Sequence, residues 1–437
     1  MKRFFTTIRN IFSIEELRTR ILNTIGFLII FRLGTYIVLP GVDANALAGN
    51  QGGLFDLINT FLGGSFSRAS IFALGIMPYI SASIVVQLLT VAVPYFTKMQ
   101  KEGESGRKRL NQFTRVLTIV ITAAQSYGYL RATINPEAIA NPGFWSFTIP
   151  SVIILVAGTM FCMWLGERIT DKGIGNGISM LIMIGIVSRF PAAIYQEMDA
   201  KGMNGAILLI LEAFTLFFVV VGTIALVQAT RRIPVQYAKQ VVGNKLYGGK
   251  RDFIPLKLNS SGVMPIIFAQ ALMFIPPLMA SIWRDNDISA YVGTTFADFT
   301  SWQYNLVFGL LILVFTFFYT AITVPSNDIA ENLKKNGGFI PGIKPGKPTA
   351  EFIDSILSKI TLPGAIFLVV IAILPAFAVK AGITQNFAQF FGGTSLLILV
   401  GVVLDTLQQV ESYLLMRHYE GMMKSGRVKG RSQFAAA

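Results

Sequence analysis

The chain has 437 residues and a formal net charge of +14; 53% of its residues are hydrophobic and only 14% are charged. Soluble domains contain about 25% charged residues, so this composition excludes an ordinary soluble protein and predicts one that is embedded in a membrane. The single cysteine, Cys162, excludes a disulfide within the chain.

Ten apolar blocks follow one another along the sequence, each close to the ~20 residues that a helix needs to cross a bilayer. They are Ile21–Leu39, Ile71–Val93, Thr114–Ala132, Phe147–Leu165, Gly177–Ile194, Gly205–Val227, Gly262–Trp283, Leu306–Val324, Leu362–Val379 and Thr394–Met416. The sequence therefore predicts ten transmembrane helices. The basic arm 1–20 precedes an apolar run that is long enough to remain as a span, so we expect no cleavable signal peptide.

Basic residues collect in every second connection between these blocks. The arm 1–20, the tail 417–437 and the loops after the second, fourth, sixth and eighth blocks hold most of the 37 lysines and arginines. Because Lys and Arg resist translocation, this asymmetry predicts that both termini are cytoplasmic. The loops 231–260 and 326–360 are longer than a turn requires. We interpret them as docking surfaces for an acidic or phosphate-rich partner such as RNA.

A short amphipathic segment lies between Gly53 and Gly64, before the second block. Its apolar residues recur at helical spacing, but the segment is too short to cross a bilayer. It either lies on the membrane surface or re-enters the membrane and folds into a cavity. The residues alone favour the surface helix.

Two features interrupt the apolar blocks. The glycine-rich stretch Gly173–Gly177 lacks both nucleotide-binding spacings, so we interpret it as a tight turn between two spans. Charged and amide side chains also occur in or near the blocks, where such groups face a bundle interior, form internal ion pairs or approach the interface. They are Arg32, Glu212, Asp405, Gln408, Gln409 and Glu411.

Two long motifs identify the chain most clearly. They are ALGIMPYISASIVVQLLT at 73–90 and GTMFCMWLGERITDKGIGNGIS at 158–179; shorter motifs lie at 101–107, 332–335, 339–346 and 391–398. On these residues, and from about Glu16 to the tail, the chain closely resembles the SecY family, the central channel subunit of the bacterial Sec protein translocon.

The resemblance implies an all-α fold with ten transmembrane helices. These would form two pseudo-symmetric five-helix halves, 21–194 and 205–416, around a central pore in the bacterial inner membrane. The resemblance also changes the interpretation of residues 54–66, which become a re-entrant plug helix that blocks the pore. The apolar plug residues are then Leu54, Phe55, Leu57, Ile58, Phe61 and Leu62.

Family members place a ring of aliphatic side chains at the pore waist. Carried over to this chain, the ring is Ile76, Ile80, Ile182, Ile186, Ile267 and Ile398. The first two pairs are each four residues apart, so each pair projects from one face of its helix. Isoleucine is stiff and has no polar atom. Such a ring can close around a moving chain without offering it hydrogen bonds, and a hydrophobic constriction resists ion flow.

The resemblance implies two further sites. A lateral gate between the second and seventh helices would include Ser81, Ile84, Gln87, Asn259 and Ile275. Partner docking would use Arg231, Arg232, Lys239, Lys245, Lys250, Arg251, Lys334, Lys335, Lys344 and Lys347. Lys344 and Ser326 stand where the family usually has arginine, and lysine lacks the bidentate fork of arginine.

The expected function is that of a protein-conducting channel. Polar segments of unfolded secretory preproteins would thread the ring, and apolar segments would leave sideways into the membrane lipids. Implied partners are the small subunits SecE and SecG, the SecA ATPase, a translating ribosome and signal peptides. We expect no cofactor, metal or small-molecule substrate.

Two other classes of membrane protein fit the sequence less well than a channel. A secondary transporter with inverted repeats is the alternative, but charge within the spans is sparse. An intramembrane protease is disfavoured because His418, the only histidine, lies in the tail and no H-E-x-x-H motif is present. We therefore expect no enzymatic activity.

Overall fold

Helices make up most of the chain in the structure, a computed structural model. The structure describes residues 14–43, 62–134, 138–139, 143–202, 205–237, 240–242, 245–247, 251–273, 276 and 287–424. The helices are α1 Glu15–Gly34, α2 Met77–Ala92, α3 Pro94–Lys101, α4 Glu104–Thr133, α5 Ile149–Lys172, α6 Gly177–Lys201, α7 Ala206–Gln228, α8 Met264–Met273, α9 Asp287–Ala297, α10 Trp302–Thr323, α11 Ser326–Lys335, α12 Lys347–Lys380, α13 Gln385–Ala388 and α14 Gly393–Lys424. A π-helical turn, Phe144–Thr148, leads directly into α5.

Six helical stretches among the described residues are long and apolar enough to span a membrane. They are Phe144–Lys172, Gly177–Lys201, Ala206–Gln228, Trp302–Lys335, Lys347–Lys380 and Gly393–Leu415. The pair α2–α3 raises the number to seven if it counts as one span; it is bent by 99° at Pro94, which has no N–H to continue the helix. The chain is therefore a multi-pass membrane protein.

The other three predicted spans coincide with helices that do not meet this criterion. These are α1, α4 and α8. The first two carry more charged or polar side chains, and α8 has 10 residues before the described residues are interrupted. The total of ten spans remains a prediction.

The first and second predicted spans are among those whose boundaries differ in the structure. The second span begins at Met77 instead of Ile71, because Gly75 has a positive φ of 50° and Pro78 occupies the first helical turn; a left-handed residue ends a helical path. The first span ends at Gly34 instead of Leu39. Beyond it, Val38 forms an antiparallel bridge with Ser70.

Three of the predicted polar side chains within the spans, Arg32, Glu212 and Gln409, have partners on other parts of the chain. Arg32 donates to the Gly63 carbonyl at 3.4 Å, and Glu212 pairs with Lys201. The glycine-rich turn between α5 and α6 is fixed from α14, where the Gln409 side chain accepts from the Gly175 N–H at 2.8 Å. These residues satisfy polar groups inside the bundle.

Helix α7 exposes apolar side chains and buries a charged one, which is the reverse of a helix in a soluble protein. Its large apolar side chains are exposed, with Ile207 at 81% and Phe217 at 61%, while Glu212 is buried. Apolar surface of this extent is stable only against another apolar phase. The face of α7 therefore fits contact with lipid.

Within the described residues, five short strands form two small sheets that the all-α expectation did not include. The strands are β1 Thr230–Tyr237, β2 Gln240–Val242, β3 Lys245–Tyr247, β4 Arg251–Lys257 and β5 Gly338–Phe339. β1 pairs antiparallel with β4, with Ile233 opposite Ile254, and also with β5. The sheet order β4-β1-β5 therefore joins the two long basic loops of the sequence into one unit.

Candidate functional site

An apolar cavity of about 40 Å³ lies among five parts of the chain. It is lined by Leu62, Ile76, Met77, Ile80, Ser81, Ile84, Ile182, Ile267, Gln270 and Ile398. Five of the six predicted ring isoleucines are thus brought together from α2 and the residue before it, α6, α8 and α14. The space could hold a water molecule, but its wall is mostly hydrocarbon and offers few hydrogen bonds.

Ile186 is the sixth predicted ring residue, and it is not part of this lining. It is 0% exposed and belongs to the same hydrophobic cluster as Ile76, Ile80 and Ile398. Ile182, one helical turn away on α6, is half-buried and faces the cavity. Ile186 therefore packs behind the cavity wall while Ile182 forms part of its surface.

The predicted pairing of Ile76 with Ile80 holds although α2 begins after Ile76. The Ile80 N–H donates to the Ile76 carbonyl at 3.1 Å, as in a helical turn. The preceding Gly75 is also required sterically, because a Cβ there would lie 2.6 Å from Leu62 Cδ2. This close approach and a φ of 50° both favour glycine.

Of the predicted plug residues, the structure describes Leu62. It is 6% exposed and lines the cavity beside Ile76. The other predicted plug residues, Leu54, Phe55, Leu57, Ile58 and Phe61, lie outside the described residues.

The predicted lateral-gate residues lie on or beside α2 and α8. Ser81 and Ile84 line the cavity from α2, and Gln87 on the same helix donates to the Ser83 hydroxyl at 3.4 Å. Asn259 is buried a few residues before α8 and accepts from the Ser261 hydroxyl at 3.2 Å. Ile275 lies outside the described residues.

Gln270 is a cavity residue that the sequence reasoning missed. It lies on α8, and its Oε1 accepts a hydrogen bond from the Thr394 hydroxyl of α14 at 3.3 Å. The available signal was an amide within the apolar run Met264–Met273, since buried polar side chains need partners. The bond ties α8 to α14 next to the cavity.

The predicted docking residues lie around the small sheet. Arg231, Arg232 and Arg251 are exposed on β1 and β4, and Lys334, Lys335, Lys344 and Lys347 are exposed on α11 and the segment before and at the start of α12. Beneath them the buried side chains of Ile233, Val235, Leu256, Ile340, Ile353 and Leu357 form a separate apolar core. Lys239, Lys250 and the Lys245 side chain lie outside the described residues.

Lys344 occupies the tip of a glycine-flanked loop. Gly342 and Gly346 have positive φ values of 87° and 104°, which glycine adopts at little cost. The Thr349 hydroxyl donates to the Lys344 carbonyl at 2.9 Å and fixes the loop from α12. The Lys344 side chain is therefore presented to solvent from a defined backbone.

Lys335 differs from Lys344 because it has an acidic partner. Its Nζ lies 2.9 Å from Glu331 Oε1, one helical turn earlier on α11. Lys335 thus contributes less net positive charge to the surface.

Comparison with known proteins supports the resemblance seen in the sequence. The SecY family model matches residues 70–407. The protein translocase subunit SecY of Thermotoga maritima is 43% identical over 97% of this chain and 99% of its own length. The chain belongs to the SecY family. The corresponding subunit of Halalkalibacterium halodurans is 44% identical over 96% of this chain and 100% of its own length.

Solved structures share the fold at low sequence identity. A structure of a protein conducting channel has a TM-score of 0.63 at 17% identity and covers 90% of this chain and 92% of its own. Sec61 in a canine ribosome–channel complex from the endoplasmic reticulum has a TM-score of 0.58, also at 17% identity, with the same coverage of both chains. The helical arrangement is therefore that of these channels.

Proposed function

We propose that this chain forms the channel through which unfolded polypeptides cross a membrane. The observation that carries the proposal is the cavity, where isoleucines from separate helices meet around about 40 Å³ of space. The related SecY subunits are protein translocases. The family is one of channels, so its membership supports the expectation that the chain is not an enzyme.

The isoleucine lining accounts for transport of many different sequences. Ile76, Ile80, Ile182 and Ile398 offer no hydrogen bonds, so a passing polypeptide finds no specific site at which to stop. In the resting state a narrow apolar waist excludes water chains and opposes ion leakage. The seal therefore depends on shape and dryness.

A side exit between α2 and α8 would serve apolar segments. Ile84 of α2 and Ile267 of α8 line the same cavity, so separating these helices would open it towards the membrane. A segment of ~20 apolar residues would then leave the channel, because lipid solvates it better than water does. The segment 54–66 would act as the plug that moves aside for polar chains.

The membrane arrangement extends beyond the six clear spans. We propose ten spans in two five-helix halves, 21–194 and 205–416, in the bacterial inner membrane. Both termini would be cytoplasmic, because basic residues collect in the corresponding connections. The sheet β4-β1-β5, around which the predicted docking residues lie, is then on the cytoplasmic side.

Energy for transport would come from partners that bind the basic surface. An ATPase such as SecA or a translating ribosome supplies acidic or phosphate groups that complement Arg231, Arg232 and Lys344. SecE and SecG would complete the complex within the membrane by covering part of its exposed apolar surface.

Site-specific cross-linking tests the proposal. A secretory chain is stalled during transport through the reconstituted complex, with a photoreactive residue at Ile182 or Ile80. Phe214 provides the matched control, because it is an apolar residue 60% exposed on the outer face of α7. We expect adducts at both isoleucines and none at Phe214; adducts at Phe214 alone contradict a central pore.

A further inference from the structure

Three ionisable side chains meet where α6 turns into α7. The Lys201 ammonium lies 2.9 Å from Glu197 Oε1 and also pairs with the Glu212 carboxylate. Their side chains are at most 12% exposed. Ionised groups withdrawn from water in this way are stable only when they are paired.

A close turn creates this cluster. Gly202 has a positive φ of 58° and donates from its N–H to the Met198 carbonyl at 3.1 Å. A Cβ at Gly205 would lie 2.6 Å from the Lys201 Cβ, which leaves room only for glycine. The turn thereby brings the end of α6 opposite Glu212, in the second turn of α7.

Glu197 also reaches a distant part of the chain. Its Oε2 accepts from the Thr384 backbone N–H at 2.8 Å and from the Thr384 hydroxyl. Thr384 lies between α12 and α13, 187 positions along the chain from Glu197. One carboxylate therefore connects α6 to the connection that precedes α14.

The surrounding contacts follow the same seam. Phe190 of α6 packs against Phe387 and Phe390, with ring centroids 6.5 Å and 5.0 Å apart. At the exposed edge, the Asn386 amide donates to Gln196 Oε1 at 2.7 Å. The Glu197 bonds are the buried polar part of this contact.

We propose that Glu197, Lys201 and Thr384 form a latch that holds the closed arrangement of the two halves beside their covalent connection. The inference rests on the proposed function, in which separation of α2 from α8 opens the channel. The halves are joined through the α6–α7 turn, so such a movement must pivot near that turn. A rotation that separates Thr384 from Glu197 leaves a buried carboxylate under-bonded, which is costly.

The latch acts through position and does not contact the transported chain, so these are positioning residues. Lys201 pairs with the Glu197 carboxylate and orients it, and Thr384 donates hydrogen bonds to that carboxylate from the other half. A weaker latch lowers the free energy needed to open the closed channel. The consequence is a channel that leaks ions and transports preproteins whose signal peptides are defective.

Thr384→Val and Glu197→Gln test the latch in the complete complex. Valine keeps the volume of threonine and removes the hydroxyl, while glutamine keeps the shape of glutamate and removes the charge. We expect each variant to raise resting ion conductance in planar bilayers and export of a preprotein with a defective signal peptide. The rise should be about tenfold for Glu197→Gln and smaller for Thr384→Val, which keeps its backbone donor.

Two controls separate the latch from general loosening of the fold. Asn386→Ala removes the exposed bond of the same seam and should leave both readouts within about twofold of wild type. The double variant of Glu197→Gln and Thr384→Val should be no leakier than Glu197→Gln alone, since both changes remove one interaction.

The outcomes distinguish this inference from the proposed function. If either folded single variant shows wild-type conductance and wild-type signal selectivity, the latch is overturned. If one variant fails to accumulate, the other alone decides the question. A wild-type complex that transports no polypeptide contradicts the proposed function instead. An equal rise with Asn386→Ala also overturns the latch, because any weakened seam would then act alike.

Discussion

Truncating two isoleucines one helical turn apart on α6 tests whether the cavity is a channel constriction. Ile182→Ala and Ile186→Ala each remove three carbon atoms from the same helix. Ile182 lines the cavity and is half-buried, whereas Ile186 is 0% exposed and packs behind it. The same substitution should therefore mainly raise ion conductance at Ile182 and mainly lower stability at Ile186.

The magnitudes follow from burial. Removing a fully buried Ile side chain down to Ala costs about 2–5 kcal/mol, so Ile186→Ala should lower thermal stability markedly. Ile182→Ala should cost roughly 1 kcal/mol because part of its apolar surface already faces the cavity. The Ile182→Ala substitution also enlarges the cavity of about 40 Å³. The added space has room for roughly two more waters at about 30 Å³ each.

Ion conductance in planar bilayers and thermal unfolding of the purified complex measure the two effects. We expect Ile182→Ala to raise conductance with a small stability loss, and Ile186→Ala to lower stability with a smaller rise in conductance. Unchanged conductance in Ile182→Ala, with Ile186→Ala the leakier of the two, would refute the assignment of the cavity as the constriction.

Three further changes test the docking surface and the packing. Lys344→Glu should slow motor-driven export several-fold in reconstituted vesicles, because it reverses the charge at the loop tip; wild-type rates would contradict docking there. Ser326→Ala removes a hydrogen bond to Asp354 of α12 and should cost about 1 kcal/mol, measured by thermal unfolding. Gly177→Ala places a Cβ 1.9 Å from a carbonyl oxygen of α5 and should cost about 1–3 kcal/mol or more, whereas Gly128→Ala, with open space around it, should be neutral or slightly stabilising.

The pore ring stays a prediction, but the structure places its six isoleucines in two different environments. Residue spacing placed Ile76 with Ile80 and Ile182 with Ile186 on shared helix faces, and the resemblance to the family selected them from many isoleucines. Spacing could not distinguish Ile182, which faces the cavity, from Ile186, which packs behind it. That difference depends on where the cavity lies along the axis of α6, which spacing does not specify.

The strands were missed because their pattern is short and mixed with charge. β1 alternates correctly around Ile233 and Val235, which are buried between exposed residues. In the sequence, however, Pro234 interrupts this run, and proline is rare within sheets. The pairing of β1 with β5 depends on a contact between distant loops, which local periodicity cannot reveal.

The polar residues inside the spans show where local reasoning is weakest. Glu212 is unusual within an apolar block, and an internal ion pair is one of the alternatives that the sequence allows. Its partner Lys201 lies across a turn and Thr384, bonded to Glu197, is far along the chain. The sequence indicates that a buried charge needs a partner, but only the folded arrangement identifies which one.

The sheet β4-β1-β5 and the cavity are linked by a short part of the chain that packs closely against α12. The Leu258 N–H donates to the Ala229 carbonyl at 2.8 Å, which extends the pairing of β1 and β4 by one bond. Gly364 of α12 lies so close that a Cβ would be 2.8 Å from the Leu258 carbonyl oxygen, so the hairpin is held against α12 at this point. The chain then enters α8 at Met264, and Ile267 lines the cavity one turn later. Because the support at Gly364 leaves little freedom between hairpin and helix, a displacement of the sheet would act on α8, the helix that contributes Ile267 to the cavity.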